Sequence, residues 1–367
     1  MMSGRPTAEL QPTLRDYESR ARHILSADRS AYFFGGAADE LTLEANQKAF
    51  SKIELLPRML CDVRGGSSRL TLLGQDLASP VLVAPVAYQK LVHPDGEAAM
   101  AMGAAAQDTA MVLSAQSSID AADARAAGAS CTWFQLYWAP SREANLELVR
   151  GMADLGFTAI VLTVDAPVQG VRDRETRIGF RLPADVSAVN LAHMPVPRFA
   201  PLEQTESMLF DRIAHVAPVW SDIEWLCQNS PLPVIVKGIV HPGDARQAIK
   251  AGASGIIVSN HGGRILDTVP ASITLLPAIV KASAGAVPVL MDGGVRRGTD
   301  ALKALALGAT AVLVGRPAIA GLAVAGAAGV SHVLRLLRDE FEIAMMLTGC
   351  RTVQEITPDI IYRPDIT

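Results

Sequence analysis

Eight short apolar runs, separated by helical stretches, constrain the fold of this chain more than any other feature of its sequence. They occupy residues 80–85, 110–114, 131–137, 159–165, 233–238, 255–260, 288–293 and 311–316. Strands that are apolar along nearly their whole length are buried on both faces, as in parallel sheets. Their alternation with helices is typical of repeated β-α units. Eight such units predict a closed (β/α)8 barrel, the TIM-barrel fold, rather than an open doubly wound sheet.

The glycine patterns agree with a barrel. A dinucleotide-binding sheet requires G-x-G-x-x-G after its first strand, and the sequence contains no such motif. Gly293, Gly294 and Gly298 resemble the glycines of a P-loop, but the lysine that a P-loop requires is missing. The two common nucleotide-binding alternatives to a barrel are therefore disfavoured.

The length of 367 residues fits one barrel domain, 1–367, with extensions at both ends. We expect a helical N-terminal segment at about 13–60, the barrel at about 75–330 and a C-terminal helix at about 331–350. The connection between residues 165 and 233 is too long for a turn and one helix, and its proline-rich part at 182–201 lacks periodicity. It predicts a long loop after the fourth strand, of the kind that forms a functional lid or is disordered.

Charge and cysteine usage indicate a cytoplasmic protein that acts on small molecules. The net charge is −4 and no basic block is present, so nothing suggests a nucleic-acid partner. The four cysteines are far apart and are expected to be reduced thiols. The first residues lack an apolar signal core, and no apolar run reaches the roughly 18 residues that a membrane span needs. We therefore expect neither secretion nor membrane contact.

Polar side chains and glycines stand at the C-terminal end of nearly every predicted strand, which is the face where barrels of this type build their active sites. After the sixth strand, residues 259–264 read Ser-Asn-His-Gly-Gly-Arg. A histidine accepts protons near neutral pH, and an arginine binds carboxylates through two hydrogen bonds. A lone histidine is more often structural, but the polar ends of the other seven strands favour a functional His261. The strand-end candidates are Pro85, Val86, Ala87, Ser114, Gln135, Tyr137, Thr163, Asp165, Lys237, Ser259, His261, Asp292, Gly293, Gly294, Gly315 and Arg316.

The strand-end residues divide into a phosphate group and a ring-edge group. The glycines and arginines after the last two strands suit a phosphate, which commonly binds there in this fold. Ser114, Gln135, Thr163 and Lys237 suit the edge of a heteroaromatic ring. Lys237 could face a site of developing negative charge, or it could form a buried structural ion pair.

A third group suits an acid substrate. His261 could act as a base that Asp165 orients, and Arg172 and Arg264 could anchor an anion. Tyr32, in the aromatic stretch of the N-terminal segment, either packs against the barrel or reaches a ligand.

Several motifs in a fixed order resemble the FMN-dependent L-2-hydroxy acid oxidase/dehydrogenase family, which includes glycolate oxidase, lactate oxidase, mandelate dehydrogenase and hydroxymandelate oxidase. Each motif alone is moderately specific, whereas the ordered set is highly specific and spans about Tyr17 to Ile356. The motifs are Phe-Gln-Leu-Tyr at 134–137, Leu-Thr-Val-Asp at 162–165, Val-Lys-Gly at 236–238, Ser-Asn-His-Gly-Gly-Arg at 259–264, Asp-Gly-Gly-Val-Arg-Arg-Gly at 292–298, Lys-Ala-Leu-Ala-Leu-Gly-Ala at 303–309 and Gly-Arg-Pro at 315–317.

The resemblance implies oxidation of an (S)-2-hydroxy acid to a 2-keto acid. His261, made more basic by Asp165, would take the hydroxyl proton while hydride passes to flavin N5. Lys237 would stabilise the reduced flavin. The substrate carboxylate would be bound by Arg172, Arg264, Tyr32 and Tyr137. FMN would be held by Pro85, Val86, Ala87, Ser114, Gln135, Thr163, Lys237, Ser259, Asp292, Gly293, Gly294, Arg296, Gly315 and Arg316. A homotetramer is also implied, and no metal is expected.

Departures from the family pattern concern the substrate pocket. Ile265 follows Arg264 where the family commonly has glutamine, and Gln169 stands where a pocket-facing leucine is expected. The segment after Ser114 lacks the tryptophan that borders the glycolate oxidase pocket. With Tyr88 nearby, we expect a roomier or more polar pocket than a glycolate site.

The sequence leaves alternatives open for the electron acceptor and for the class of reaction. Family members that use oxygen tend to have alanine at the position of Ala87, which favours an oxidase that produces hydrogen peroxide. Residues 182–220 lack the basic, apolar insertion of membrane-bound relatives. The alternatives are a soluble dehydrogenase with another acceptor, an FMN barrel enzyme that acts on a modified peptide or other substrate, and a flavin-binding protein without activity.

Overall fold

The computed structural model of the chain describes residues 9–362 and confirms the predicted barrel. Eight parallel strands close in the order β10-β3-β4-β5-β6-β7-β8-β9, and β1 and β2 form a separate antiparallel hairpin. The strands are β1 Leu70–Leu72, β2 Gln75–Leu77, β3 Val81–Val83, β4 Met111–Ser114, β5 Cys131–Tyr137, β6 Ala159–Thr163, β7 Val234–Ile239, β8 Gly255–Val258, β9 Val289–Asp292 and β10 Ala311–Val314.

Helices follow the barrel strands and surround them. They are α1 Leu14–Ile24, α2 Ala27–Phe34, α3 Leu41–Lys48, α4 Gly96–Ala105, α5 Ala121–Ala127, α6 Arg142–Asp154, α7 Asp173–Ile178, α8 Trp220–Asn229, α9 Pro242–Lys250, α10 Ser272–Ser283, α11 Gly298–Ala306 and α12 Arg316–Thr348.

The barrel strands are buried on both faces because alternate side chains enter two different cores. Inward residues such as Val112, Ile257 and Leu313 pack together, whereas their neighbours pack against the helices. Leu72 and Leu77 of the β1–β2 hairpin belong to the inner core. The hairpin therefore packs with the barrel interior, and the polar strand ends are left for the site.

The N-terminal helices connect the outside of the barrel to its C-terminal rim. α1 packs on α12, and the Thr13 hydroxyl caps α1 by accepting a hydrogen bond from Asp16 N at 3.2 Å. α2 ends at Phe34, and Arg264 and Arg316 donate to the carbonyl groups of its last residues and of Gly35. These bonds satisfy carbonyls that a helix end leaves without partners, and they fix Tyr32 at the rim.

The C-terminal helix begins earlier than the sequence predicted. α12 starts at Arg316, directly after β10, and continues through a kink at Ala325 and Gly326 to Thr348. Among residues 9–362, α12 is the one helix long and apolar enough to cross a membrane, but 61% of its most apolar stretch is buried within the fold. It packs against α1, α4 and α11, as a core helix does.

The long connection after β6 contains α7 and α8 with irregular chain between them. The predicted loop at 182–201 has no regular element except a short 3-10 turn, Val189–Leu191. α7 packs against α2, and Ala38 N donates to Val171 O at 2.8 Å. The first part of the loop is thereby fixed beside the strand ends. Cys61, Cys227 and Cys350 are free thiols, in agreement with the sequence.

Candidate active site

One cavity at the C-terminal ends of the strands brings together most of the predicted site residues. Its wall also includes the end of α2 and the start of α12. Two predicted residues, Asp165 and Ser259, do not line it but hydrogen-bond to His261 from behind the lining. The predicted residues that line it are Tyr32, Pro85, Val86, Ala87, Ser114, Gln135, Tyr137, Thr163, Arg172, Lys237, His261, Arg264, Asp292, Gly293, Gly294, Arg296, Gly315 and Arg316.

His261 and Asp165 form a largely buried pair. His261 Nδ1 lies 2.8 Å from Asp165 Oδ1, and His261 Nε2 lies 3.5 Å from Tyr137 Oη. Burial and the positive charge of Lys237 lower the pKa of His261, although Asp165 opposes them. Burial acts to raise the pKa of Asp165, but Lys237 and His261 outweigh it and the pKa is lowered. A neutral imidazole beside an ionised carboxylate can act as a general base.

The backbone around this pair is unusual in two places. His261 has a φ of +56°, a left-handed conformation that costs energy in a residue with a side chain. Ser259 Oγ accepts a hydrogen bond from His261 N at 3.0 Å, which helps to offset that cost. Gly238 has a φ of +108°, and a Cβ there would lie 2.5 Å from the Cβ of Asp165. Glycine at 238 therefore makes room for Asp165.

Lys237 belongs to a buried network that links it to His261 through Ser259 and to Asp292 at the end of β9. Its ammonium donates to Ser259 Oγ at 2.9 Å and lies 3.2 Å from Asp292 Oδ2. Burial acts to lower the pKa of Lys237, but Asp292 and Asp165 outweigh it and the pKa is raised. The sequence left open a ligand-facing lysine or a structural ion pair. The structure contains both, because Lys237 pairs with Asp292 and also lines the cavity.

Two largely buried arginines share one acid. Arg172 Nη1 donates to Glu175 Oε1 at 3.0 Å, and Arg264 Nη2 donates to the same atom at 3.4 Å. Arg264 Nη1 also donates to Tyr32 O at 2.5 Å. Arg172 Nε is buried and has no hydrogen-bond partner among residues 9–362. Because buried donors are normally paired, this one indicates a place for an anionic acceptor.

The ring-edge residues keep hydrogen-bonding capacity for a ligand. Gln135 Oε1 accepts from Ser114 Oγ at 3.1 Å and from Ala115 N at 3.2 Å. Gln135 Nε2 is buried without a partner in the described part of the chain. Thr163 and Lys237 are paired in register on neighbouring strands. This side of the cavity can therefore match the donors and acceptors of a heteroaromatic ring such as flavin.

The end of the cavity near β9 and β10 suits a phosphate. α12 begins there, and a helix N-terminus favours anions. Gly294 has a φ of +90°, and a Cβ there would lie 2.0 Å from Asn46 O, so only glycine fits. Arg316 donates to three backbone carbonyl groups, and Arg296 Nε lies 2.5 Å from Glu18 Oε1 without hydrogen-bond alignment. The helix start, the glycine and the guanidinium groups thus suit a phosphate.

Two residues at or near the site were not predicted from the sequence, and a third residue was placed wrongly. Gln116 lines the cavity, and its position two residues after Ser114 was the available signal. Glu175 pairs with both Arg172 and Arg264, and its i,i+3 spacing from Arg172 could have indicated this. Gln169, which was expected to face the pocket, is exposed and does not line it.

Ile265, another departure from the family pattern, and Tyr88, which was expected to affect the pocket, lie beside the cavity. Ile265 is half-buried outside the lining. Tyr88 is also outside it, and its ring packs 6.4 Å from that of Tyr32. Both residues can act on the pocket only through neighbouring side chains.

Comparison with known proteins agrees with this site. Residues 21–363 match the model of the FMN-dependent dehydrogenase family. The chain is 52% identical to the L-lactate oxidase of Roseobacter sp. (strain GAI101), with 95% of this chain and 94% of that protein covered. It is 44% identical to glycolate oxidase 1 of Zea mays, with 93% of each covered. A solved mandelate oxidase with benzoyl-formic acid is similar in structure, with a TM-score of 0.87, 40% identity, and 96% of this chain and 98% of that chain covered.

Proposed function

This chain belongs to the FMN-dependent dehydrogenase family, and from that premise we propose that it is an (S)-2-hydroxy acid oxidase. The product is the corresponding 2-keto acid, and dioxygen is the electron acceptor and yields hydrogen peroxide. The observation that carries the proposal is His261, paired with Asp165, in the same cavity as two largely buried arginines. A base and a carboxylate clamp together suit a 2-hydroxy acid.

FMN is the cofactor of the family, and it supplies the acceptor for the two electrons that the substrate loses. The unpaired Nε2 of Gln135 and the glycine cradle at 293–294 are the features of this chain that fit it. The residues proposed to hold FMN are Pro85, Val86, Ala87, Ser114, Gln135, Thr163, Lys237, Ser259, Asp292, Gly293, Gly294, Arg296, Gly315 and Arg316.

We propose that Arg172 and Arg264 bind the substrate carboxylate. The unpaired Nε of Arg172 provides a donor for it, and a charged donor makes a strong hydrogen bond with a carboxylate. Tyr32 and Tyr137 line the same part of the wall and add hydroxyl groups. Burial raises the pKa of Tyr32 to about 12, so its hydroxyl remains a donor at neutral pH. This anchoring orients the 2-hydroxyl for the base.

His261 would accept the proton of the 2-hydroxyl group at Nε2. Asp165 accepts a hydrogen bond from His261 Nδ1, so the other ring nitrogen of the neutral imidazole, Nε2, can accept a proton. As the imidazole becomes charged, the ionised Asp165 stabilises it. Tyr137 lies 3.5 Å from Nε2 and can donate to the same substrate oxygen or to the carboxylate. Lys237 remains charged and stabilises negative charge that develops on its side of the cavity.

Two observations bear on the alternatives. The curated relatives compared above are named oxidases, and Ala87 lines the cavity, so oxygen is favoured over another electron acceptor. The two buried arginines fit a free carboxylate, which a modified peptide substrate does not require. A dehydrogenase with another acceptor is the second candidate.

The test is an anaerobic panel of S- and R-2-hydroxy acids, from glycolate to mandelate, scored by bleaching of flavin absorbance. We expect S acids to bleach the flavin and air to restore the colour as hydrogen peroxide forms. No bleaching by any acid would refute the proposal. Reoxidation by oxygen that is slower than turnover with an artificial acceptor would support the dehydrogenase.

We further propose a homotetramer of single-domain subunits in the cytoplasm, with no membrane or nucleic-acid partner. Each subunit would comprise residues 1–367, whose ends at 1–8 and 363–367 lie outside the described residues. Ile343, Met346 and Leu347 expose apolar side chains on one part of α12, which supports a subunit contact there. Light scattering coupled to size exclusion measures the mass, and a monomer at micromolar concentration would contradict the assembly.

A further inference from the structure

We infer that Glu175 is the counter-ion that positions Arg172 and Arg264 and makes the site favour ligands with one carboxylate over ligands with two. The inference rests on the proposed function, since it concerns the same anion site. Glu175 belongs to α7, the short helix that follows Arg172 in the long loop after β6. Its Oε1 accepts from Arg172 at 3.0 Å and from Arg264 at 3.4 Å.

The burial of these three side chains makes the charge balance important. Their exposed fractions are 12% for Arg172, 15% for Arg264 and 10% for Glu175. Two cations this close repel each other, and burial of uncompensated charge is costly. Burial and Arg172 lower the pKa of Arg264 to about 10, which reflects this environment and still leaves it charged at neutral pH. Glu175 reduces the net charge of the cluster from two to one.

The remaining single positive charge matches one carboxylate. A monoanion makes the cluster neutral, whereas a dianion leaves an uncompensated negative charge beside Glu175. Without the charge of Glu175, the two arginines would match a dianion instead. Glu175 therefore disfavours dicarboxylates through its charge.

Glu175 also fixes the orientation of both guanidinium groups. On one side, Arg264 is bound by the carbonyl groups of Tyr32 and Gly35, and on the other side by Glu175. Arg172 uses Nη1 for Glu175, and its Nε remains available. The backbone of Glu175 is held as well, because its carbonyl accepts from Phe180 N at 2.9 Å. The Phe180 ring stacks on Tyr32 with centroids 4.8 Å apart, so the same segment supports the cavity wall.

The test compares a monoanion with a dianion in the FMN-loaded enzyme. Acetate and oxalate are titrated at pH 7 under conditions without turnover, and each Kd is obtained from the change in flavin absorbance. In Glu175→Gln, the ratio of the oxalate Kd to the acetate Kd should fall by about tenfold or more, because only the charge is removed. Glu175→Asp should restore the ratio to within about threefold of wild type, even if both anions bind more weakly.

Asp173→Asn is the matched control. It removes a negative charge from the same helix, but the Asp173 side chain is 40% exposed and pairs with Arg177 instead of Arg172 or Arg264. Its Kd ratio should stay within about twofold of wild type. If the Kd ratio changed as much in Asp173→Asn as in Glu175→Gln, the effect would come from the overall charge of the helix, and the specific role of Glu175 would be overturned.

The remaining outcomes separate charge from packing. If Glu175→Gln loses FMN, Glu175→Asp is compared with Glu175→Asn instead, because these two side chains have the same shape and differ only in charge. FMN retained in the Asp variant but lost in both amides supports the charge requirement, whereas FMN lost in all three overturns it. An unchanged Kd ratio in an enzyme whose flavin is bleached by a 2-hydroxy acid overturns this inference alone. A wild type that no 2-hydroxy acid bleaches refutes the proposed function instead.

Discussion

Asp165→Asn is the substitution that most directly tests the His261–Asp165 pair. Asparagine keeps an oxygen that can accept from His261 Nδ1 at the present 2.8 Å, so the variant removes charge with little change of shape. Two unit charges roughly 4 Å apart at an effective dielectric constant of about 20 interact by about 4 kcal/mol. The pair is largely buried, with side-chain exposures of 19% and 12%, so solvent screens this interaction weakly. We expect flavin reduction by substrate to slow by about a hundredfold to a thousandfold.

The pH profile gives this prediction a second readout. Neutral His261 is the active form, and its pKa is lowered from 6.5, so activity should persist below pH 6.5 and be lost as pH falls through the lowered pKa. Asp165 opposes that lowering. Its neutralisation should therefore move the acid limb to still lower pH while the plateau rate falls.

Stopped-flow measurement of anaerobic flavin bleaching across pH checks both expectations. Acetate affinity is the internal control and should change less than about threefold, because the arginines are untouched. A bleaching rate within threefold of wild type, or an acid limb displaced to higher pH, would refute the role of Asp165 as the partner of the base.

Three further substitutions test separate parts of the site. Gly238→Ala places a Cβ 2.5 Å from that of Asp165 at a φ of +108°, so we expect a loss of about 1–3 kcal/mol in stability and slower flavin bleaching. Gly151→Ala, at an uncrowded position in the last turn of α6, is its control and should not lower the thermal midpoint. Lys237→Met leaves Asp292 buried without its cation, and urea unfolding should show a loss of about 3–5 kcal/mol; an unchanged midpoint would contradict the ion pair. Arg172→Lys loses donors that suit a carboxylate, and steady-state kinetics should show KM raised about tenfold or more with a smaller change in kcat.

The sequence could predict the barrel and the members of the site because both follow from short-range pattern. A strand buried on both faces is apolar along its length, and the residue after it lies at the rim in a closed parallel barrel. The positions of Ser114, Lys237 and His261 at one cavity follow from that rule alone. The rule also explains why Asp165 and Ser259 were grouped with them, although they act from behind the lining.

The parts of the structure that the sequence could not predict depend on contacts that leave no periodic pattern of apolar residues in the sequence. The start of α12 was placed too late because residues 316–330 are alanine- and glycine-rich and show no polar face, since both sides are covered. Gln169 was expected in the pocket, but the adjacent Gly170 packs against the backbone of Ile265, where a Cβ would lie 2.3 Å from its oxygen. Glu175 belongs to a six-residue helix in a long loop, and only the folded chain brings it to Arg264.

The charges of the site explain how a histidine can be paired with a carboxylate and still be a base at neutral pH. A buried aspartate alone raises the pKa of its histidine partner and would favour the protonated, inactive form. Burial opposes this most, and the positive charge of Lys237 adds to it and also lowers the pKa of Asp165. The same ammonium thus helps to keep the imidazole neutral and the carboxylate ionised. Asp292 supports this in turn, because its charge, together with that of Asp165, outweighs the burial that acts to lower the pKa of the lysine.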